Sequence, residues 1–351
     1  MSANYRKLGD YISQRREKNT AINLPICGVC REGLIPPKQQ DADISLYNVF
    51  YKNDFIFNPA RMELNSITLN TEYDKAICSS LYEIFYINDT SKLLPEFLFV
   101  QLKTDNFVRF CEFQGQGSVR EYCRFANISE YPVIVPDLKE QEKIVNTYNA
   151  ITKRIQLKQK INENLEKTAQ TIYENALTSK KTEISSLGNE CTITTGKLNS
   201  EDATIDGEYP FFTCSQETYK TNTFAFDQEA VLLAGNNASA IYPLKIYKGK
   251  FNAYQRTYVI SSNNHLISNY QIYFDLKNKL EEFKGVSFGT TTKFLTMTIL
   301  NPIELHIFSE KDSYELTKQL KVCFDEITIN QKELVKLNDL KQLVISRISG
   351  M

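Results

Sequence analysis

Between Glu229 and Asp275 the chain carries no acidic residue, yet Lys245, Lys248, Lys250 and Arg256 fall inside that stretch, a local charge of +4 in a protein whose net charge is −1. Such a stretch can neutralise phosphates. Downstream, Gly289-Thr290-Thr291-Thr292-Lys293 combines backbone N–H groups, hydroxyls and an ammonium, the donors of a phosphate grip. Gly235 opens a loop containing Asn236, Asn237 and Ser239, suited to close backbone approach and small polar contacts. Near the N-terminus Arg6, Lys7, Arg15, Arg16 and Lys18 face only Asp10 and Glu17, a second basic patch. A solvated surface of a folded domain accounts for such charge equally well, so both readings stand at this point.

Catalytic constellations are harder to find. The chain has only two histidines, His265 and His306, which argues against a histidine-based triad or metal centre. Of eight cysteines only Cys27 and Cys30 form a CxxC pair, and no second pair follows at zinc-ribbon spacing, so reduced, mostly buried thiols are expected. No GxxxxGK[ST] and no Gly-rich cofactor loop after a strand is present. The [DNS]PP[YFW] pattern is missing as well, since Asn58-Pro59-Ala60-Arg61 and Asn301-Pro302-Ile303-Glu304 lack the second proline and the aromatic. Asp275 with Glu282-Phe283-Lys284 resembles a nuclease carboxylate-lysine set, but it lies in a helical pattern where that spacing describes a solvated face. Residues 1–10 are polar, unlike a signal peptide, and no window approaches the ~18 apolar residues of a membrane span. A soluble, cytoplasmic protein without membrane contact is expected.

The elements that must position these groups come in duplicate. Hydrophobic residues make up 42% and charged residues 24% of 351, a globular composition with room for two domains. Tyr5-Arg6-Lys7-Leu8-Gly9-Asp10 opens the first half and Ile184-Ser185-Ser186-Leu187-Gly188-Asn189 the second. Later, Glu130-Tyr131-Pro132-Val133 corresponds to Leu300-Asn301-Pro302-Ile303. With Leu8 matched to Leu187 and Pro132 to Pro302, the second repeat is slightly shorter than the first. Phe55-Ile56-Phe57, residues 82–86 and Arg256-Thr257-Tyr258-Val259-Ile260 read as strands, and residues 95–102 and 270–283 as short helices. Compact mixed α/β domains are expected.

Each half ends in a long helical pattern. The first follows Pro136, with Asp137 as N-cap and Glu140 as its capping-box partner. Steps of four and three from Ile144 run through Tyr148, Ile151, Ile155, Lys158, Asn162, Leu165, Ala169, Ile172 and Ala176. The same steps from Leu316 run through Leu320, Cys323, Ile327, Asn330, Leu334, Leu337, Lys341, Val344 and Ile348. Eight of ten positions are apolar in each, the seams of an intramolecular coiled coil. Lys158 and Asn330 are equivalent polar positions of the two seams; either they fix register or the helix ends splay towards solvent. The organisation expected is a domain over 1–136, a spacer helix over 137–180, a second domain over 181–308 and a second helix over 309–351. Antiparallel pairing of the helices would give the molecule a pseudo-two-fold internal repeat. A helix of about 38 residues spans about 57 Å, more than the ~34–36 Å of one DNA turn.

Several segments, in order, resemble one family. Pro136-Asp137-Leu138-Lys139-Glu140-Gln141-Glu142-Lys143-Ile144 is similar to the start of the first helix in type I restriction-modification specificity subunits. Asn58-Pro59-Ala60-Arg61 with Ser66-Ile67 resembles their NPxR…GSI segment, with Asn65 standing where the pattern has glycine. Residues 209–215, 234–239 and 249–258 resemble further family segments, with Asn237 replacing the second glycine of a GNG turn. The second helix starts at Phe308-Ser309-Glu310-Lys311 and lacks the Glu-Gln pair. The resemblance covers nearly the whole chain. It implies two target recognition domains of mixed α/β fold, each reading half of a split sequence in double-stranded DNA. The helices would set the gap and dock two methyltransferase subunits, which, rather than this chain, would bind S-adenosylmethionine; a restriction and translocase subunit can join the assembly. The chain itself would be non-catalytic and bind no cofactor. The rival classes are a self-contained DNA-modifying enzyme and a structural coiled-coil adaptor.

Under that resemblance the candidate DNA contacts divide between the two domains. In the first they are Asn58, Arg61, Ser66 and, in the loop of residues 117–120, Ser118 and Arg120. In the second they are Asn236, Asn237, Ser239, Lys245, Tyr254, Gln255, Arg256, Thr290, Thr291, Thr292 and Lys293. Gln255 and Arg256 are adjacent; in a strand they would point to opposite faces, one reaching DNA while the other braces the fold.

Overall fold

A computed structural model describes residues 5–21, 23–31, 33–37, 43–115, 122–237, 241–286 and 293–349. The chain divides into two compact units, one made of residues 1–158 and 332–351, the other of residues 159–331. Each unit therefore takes one half of each long helix.

Unit 1 contains β1 (Arg6–Lys7), β2 (Ile12–Arg15), β3 (Ile26–Cys30), β4 (Gly33–Ile35), β5 (Asn48–Tyr51), β6 (Phe55–Phe57), β7 (Ile67–Leu69), β8 (Lys75–Cys78), β9 (Glu83–Ile87) and β10 (Pro132–Val133). Its helices are α1 (Pro95–Gln101), α2 (Asp105–Gly115) and α3 (Phe125–Ser129), and α4 (Leu138–Ser179) starts here. One sheet runs β2-β9-β6-β7 and a second runs β4-β3-β8-β5. Phe55, Phe57 and Phe85 are fully buried between the first sheet and the helices, and Phe55 stacks on Phe85 at 4.8 Å.

Unit 2 contains β11 (Thr182–Ser186), α5 (Leu187–Glu190), β12 (Cys191–Thr195), β13 (Tyr209–Phe212), β14 (Thr218–Thr221), β15 (Phe226–Ala234), β16 (Asn236–Asn237), β17 (Leu244–Ala253) and β18 (Thr257–Ser262). They are followed by α6 (Asn269–Val286), β19 (Lys293–Phe294), α7 (Met297–Leu300), β20 (Glu304–Phe308) and α8 (Glu310–Ser349). Its main sheet runs β12-β18-β15-β17-β13-β14, so the order β2-β9-β6-β7 of unit 1 recurs in its first four strands.

The repeat has a physical basis at its Leu-Gly steps. Leu8 and Leu187 are both fully buried. The following glycines lie so close to the opposite chain that a Cβ on Gly9 would sit 3.0 Å from Ser129 Cβ, and one on Gly188 3.0 Å from Asn301 Cβ. The adjoining N–H groups bind Tyr131 O and Ile303 O at 2.9 and 2.8 Å. Lys7 pairs with Pro132 and Ser186 with Glu304. Ser129, Tyr131 and Pro132 thus correspond to Asn301, Ile303 and Glu304. Matching the two prolines misplaces the second repeat by two residues, because Pro132 lies in strand β10 whereas Pro302 precedes β20.

The long helices pair antiparallel within each unit, and all twenty seam positions are buried or half-buried. In unit 1, Ile144 and Tyr148 pack in one core with Ile345 and Ile348. In unit 2, Ala169 and Tyr173 pack with Leu316, Leu320 and Phe324. Asn162 and Asn330 meet: the Asn330 amide, fully buried, donates to Asn162 Oδ1 at 2.9 Å. In unit 1 Lys158 pairs with Glu333 at 2.9 Å. Asn162, Asn330 and Lys158 therefore face polar partners instead of splaying, while Lys341 lies over the Tyr148 ring, 5.0 Å from its centroid. The helices contain 42 and 40 residues. The Asp137 carboxylate accepts from the Glu140 N–H at 2.9 Å, as its N-cap role requires, while the Glu140 carboxylate pairs with Lys143 at 3.4 Å.

Candidate nucleic-acid interface

In unit 2 the segment after β17 is a turn. The Thr257 N–H binds Tyr254 O at 2.8 Å, so Gln255 and Arg256 are its two central residues, both exposed. They lie at a tip rather than on opposite faces of a strand. Because β15 lies between β17 and β18, the turn must cross the end of β15. Three neighbouring loops clamp it. The Gly235 N–H binds Arg256 O at 2.7 Å, the Gln255 N–H binds Leu198 O at 3.0 Å, and the Tyr254 N–H binds Phe212 O at 2.9 Å. A Cβ on Gly235 would stand 2.5 Å from Arg256 O, and one on Gly196 1.8 Å from Ala253 O. These glycines let the loops close on the turn, leaving the Gln255 and Arg256 side chains outermost.

The Arg256 guanidinium lies over the Phe294 ring, 5.2 Å from its centroid, and makes no ion pair among the described residues. Phe294 pairs with Asn236 and Lys293 with Asn237 in the two-stranded ladder β16–β19. Asn237 Oδ1 accepts from the Ile241 N–H at 3.4 Å. Asn236, Asn237, Gln255, Arg256 and Lys293 thus belong to one loop cup. Half-buried Tyr254 starts the turn. Ser239, Thr290, Thr291 and Thr292 lie outside the described residues.

The other cations of the acid-free stretch are engaged within the fold. Lys245 Nζ donates to Ser215 O, Glu217 O and Thr218 Oγ1 at 3.3, 3.0 and 3.1 Å, and burial pushes its pKa down to about 8. It braces the loop before β14, which removes it from the surface contacts expected of it. Lys248 stands 3.8 Å from Glu229, and Lys250 lies over Phe224. Three cations of the basic N-terminal stretch are engaged as well. Arg15 makes a bidentate pair with buried Asp54 at 2.6 and 3.0 Å between the rings of Tyr51 and Tyr86, Lys7 pairs with Glu130, and Lys18 binds Leu46 O and Asn48 Oδ1.

Unit 1 presents a groove of about 870 Å³ whose lining includes Asn58, Arg61, Arg31, Tyr82 and Tyr122. Arg61 is exposed and makes no ion pair among the described residues. Asn58 caps the short helix that follows, accepting from the Ala60 N–H at 3.1 Å. Ser66 corrects the expectation of a surface contact: it is 4% exposed and donates to Val29 O at 3.1 Å, bracing the groove wall. Asn65 has φ +52°, which explains the family's glycine at this position. Ser118 and Arg120 lie outside the described residues.

The groove and the cup occupy equivalent places. The Cys123 N–H binds Pro59 O at 3.0 Å, and the Leu295 N–H binds Gly235 O at 2.8 Å. Pro59 and Gly235 therefore correspond, and so do Asn58-Pro59-Ala60-Arg61 and Ala234-Gly235-Asn236-Asn237. Cys123 and Leu295 are separated by the same interval as Ser129 and Asn301, which makes Tyr122 the counterpart of Phe294. Sequence reading missed Arg31, Tyr122 and Phe294; a repeat register placed on the Leu-Gly contacts would have flagged the two aromatics.

Two mixed α/β units, one offering exposed Arg256 over the Phe294 ring and the other exposed Arg61 in a groove lined also by Tyr82 and Tyr122, define a tandem binding module carried on a pair of long helices. The signature of the type I restriction modification DNA specificity domain matches residues 35–167 and again residues 179–339, and the chain belongs to that family. It is 33% identical over 151 residues to the type I restriction enzyme EcoDI specificity subunit of Escherichia coli, a match covering 43% of this chain and 33% of the relative. The match thus spans about a third of the length of that curated relative. In fold it is similar to the S subunit of a type I restriction-modification system from M. genitalium, with a TM-score of 0.61 at 15% identity over 99% of this chain and 96% of that one. Among the described residues no helix is long and apolar enough to cross a membrane.

Proposed function

We propose that the chain is the non-catalytic, DNA-reading subunit of a type I restriction-modification assembly, each unit contacting one half of a bipartite target in double-stranded DNA. The observation that carries this reading is the same loop site built twice, at Pro59 and Gly235, on different local sequences. A shared scaffold with divergent tips suits two half-sites of different sequence. In unit 2 Arg256 and Gln255 would read base edges and Asn236, Asn237 and Lys293 would fix the backbone; in unit 1 Arg61 would be the principal contact, with Arg31 beside it. Ser118, Arg120, Ser239, Thr290, Thr291 and Thr292 stay candidates by their residue types.

The paired helices would set the gap between half-sites and dock two methyltransferase subunits, with a restriction and translocase subunit able to join. Outward apolar side chains support docking: Val322 and Ile329 in unit 2 are 67% and 57% exposed, and Val335 in unit 1 is 58% exposed. S-adenosylmethionine and the methylation chemistry would belong to those partners, and the complex would work in the cytoplasm. Methylome sequencing of a host carrying this chain with its methyltransferase tests the reading. A split, adenine-methylated motif is expected; a continuous motif sinks the two-site reading, and methylation by the purified chain alone sinks its non-catalytic role.

A further inference from the structure

A cavity of about 460 Å³ opens in unit 1 against α2 and shares no lining residue with the groove that carries Arg61. Asn106, Arg109, Phe110 and Phe113 line it from one face of the helix, at the i, i+3, i+4, i+7 spacing that puts side chains on a common stripe. Tyr131 lines the opposite side, its ring edge-on to Phe110 at 5.1 Å. Gln101 also lines the cavity and is only 6% exposed. Its Nε2 donates to Ile134 O at 2.8 Å, which fixes the amide's orientation, and its Oε1 has no hydrogen-bond partner among the described residues. Arg109 is exposed at the rim and makes no ion pair among the described residues, while Phe113 is 70% exposed.

The equivalent positions of the second repeat carry different residues. In the register of the Leu-Gly contacts, Arg109, Phe110 and Phe113 correspond to Glu281, Glu282 and Gly285. Gln101 corresponds to Tyr273, whose hydroxyl donates to Glu166 at 2.6 Å. A task common to both repeats, whether reading DNA or docking a subunit, would not build an arginine-aromatic cavity in one and place two acids and a glycine at the same positions of the other.

The lining specifies a ligand by its chemistry. A buried acceptor fixed in one orientation calls for an N–H donor. The exposed Phe113 ring and the half-buried Phe110 ring favour a flat ring, and a guanidinium with no ion pair among the described residues favours an anion, phosphate above all. The volume is that of a small-molecule site. We propose that this cavity binds an adenine nucleotide, the exocyclic amino group donating to Gln101 Oε1, the base lying against Phe110 and Phe113, and the phosphate meeting Arg109. The nucleotide is either free or part of a nucleic-acid strand.

Calorimetric titration of the full chain with adenosine 5′-monophosphate tests this directly. Saturable binding is expected, at least about tenfold weaker in Arg109→Glu and in Phe113→Ala, both surface changes that leave the core intact. Inosine 5′-monophosphate, which carries a carbonyl in place of the amino group, is expected to bind at least about tenfold more weakly to the unaltered chain. A single-stranded oligoadenylate that binds more tightly than the mononucleotide, and loses that advantage in Arg109→Glu, identifies a strand as the source; equal or weaker binding identifies the free nucleotide. No saturable binding in the millimolar range overturns the proposal, and so does binding unchanged by either substitution. The methylated motif of an Arg109→Glu host is expected to be unaltered, which separates this site from the DNA-reading loops.

Discussion

Gln141 and Ser313 stand at equivalent positions of the two repeats, where each long helix leaves its globular unit, and they fasten it with unequal strength. Gln141 is fully buried with every polar atom used: Oε1 accepts from the Leu94 N–H, and Nε2 donates to Lys92 O and Pro136 O, all at 2.8 Å. Ser313 reaches the matching loop with a single bond, donating to Leu266 O at 2.6 Å. Unit 2 adds fastening elsewhere. The Tyr173 hydroxyl donates to buried Asp275 at 2.6 Å, His306 Nδ1 lies 3.1 Å from the same carboxylate, and Glu166 binds Tyr273 and Lys277, each at 2.6 Å. One joint is a saturated amide, the other a network that includes titratable groups. Two copies of a fold can thus preserve a geometry while exchanging the chemistry that holds it.

The largest expected effect tests that inequality. Gln141→Ala leaves a buried N–H and two carbonyls without partners and should cost about 3 kcal/mol, whereas Ser313→Ala should cost about 1 kcal/mol. Urea unfolding with hydrogen exchange followed over residues 92–100 and 264–276 would measure both. Equal losses would mean that the two joints bear equal load despite their bonding.

Next in size is a comparison of the two loop sites. Arg256→Ala should cost about 1–3 kcal/mol of base discrimination and relax one position in one half-site. Arg61→Ala should do the same in the other half-site. Sequencing methylated sites from hosts carrying each variant locates the change. Weakening that is uniform across sequences would assign the arginine to phosphate, and two variants relaxing the same half-site would break the one-unit, one-half-site correspondence.

The polar seam positions offer a smaller contrast. Replacing both Asn162 and Asn330 by leucine should raise stability by about 1 kcal/mol, since a buried amide pair holds register at some cost. Replacing Lys158 and Glu333, a solvent-screened pair, should leave stability nearly unchanged. Thermal melts of the two double variants decide, and a loss of stability in the leucine pair would show that the amides do more than hold register.

Which of these features the sequence revealed follows from how each is encoded. The seams were legible because a helix writes its buried stripe at a fixed spacing, so every position counted from Ile144 and from Leu316 lies inward, although buried Val145, Tyr173, Phe324 and Ile345 fall beside the count. The Leu-Gly steps were legible because a close backbone approach demands glycine. The loop cup was not, because its parts come from residues 196–198, 212–215, 235–237, 254–257 and 293–295, which meet only once the sheet order is known. Charge counting misjudged Lys245 for a related reason: backbone carbonyls that capture an ammonium leave no trace in composition. Asp275, read as part of a solvated helix face, is 5% exposed because Tyr173 and His306 reach it from elements far away in sequence.

That cluster yields the smallest prediction and the one that most directly separates the two joints. His306 faces Asp275 from β20, with Glu304 on its own strand and Lys279 on α6 nearby, and the hydrogen bond its protonated ring donates to the Asp275 carboxylate raises its pKa above the ordinary histidine value of 6.5. In the unfolded chain the imidazole titrates near that ordinary value. Its pairing therefore contributes fully below pH ~6.5 and is lost as pH rises through the higher folded value. Lys245 acts in the opposite sense and in a higher window, between about 8 and 10.5, so a scan confined below pH 8 isolates the histidine. Hydrogen-exchange protection at the Tyr173–Asp275 contact should decline as pH rises from ~6 to ~8, after correction for intrinsic exchange, while protection around Gln141 stays level. His306→Gln should flatten the decline in unit 2. A decline that persists in that variant would remove His306 from the joint and leave the Tyr173–Asp275 bond as its fastening.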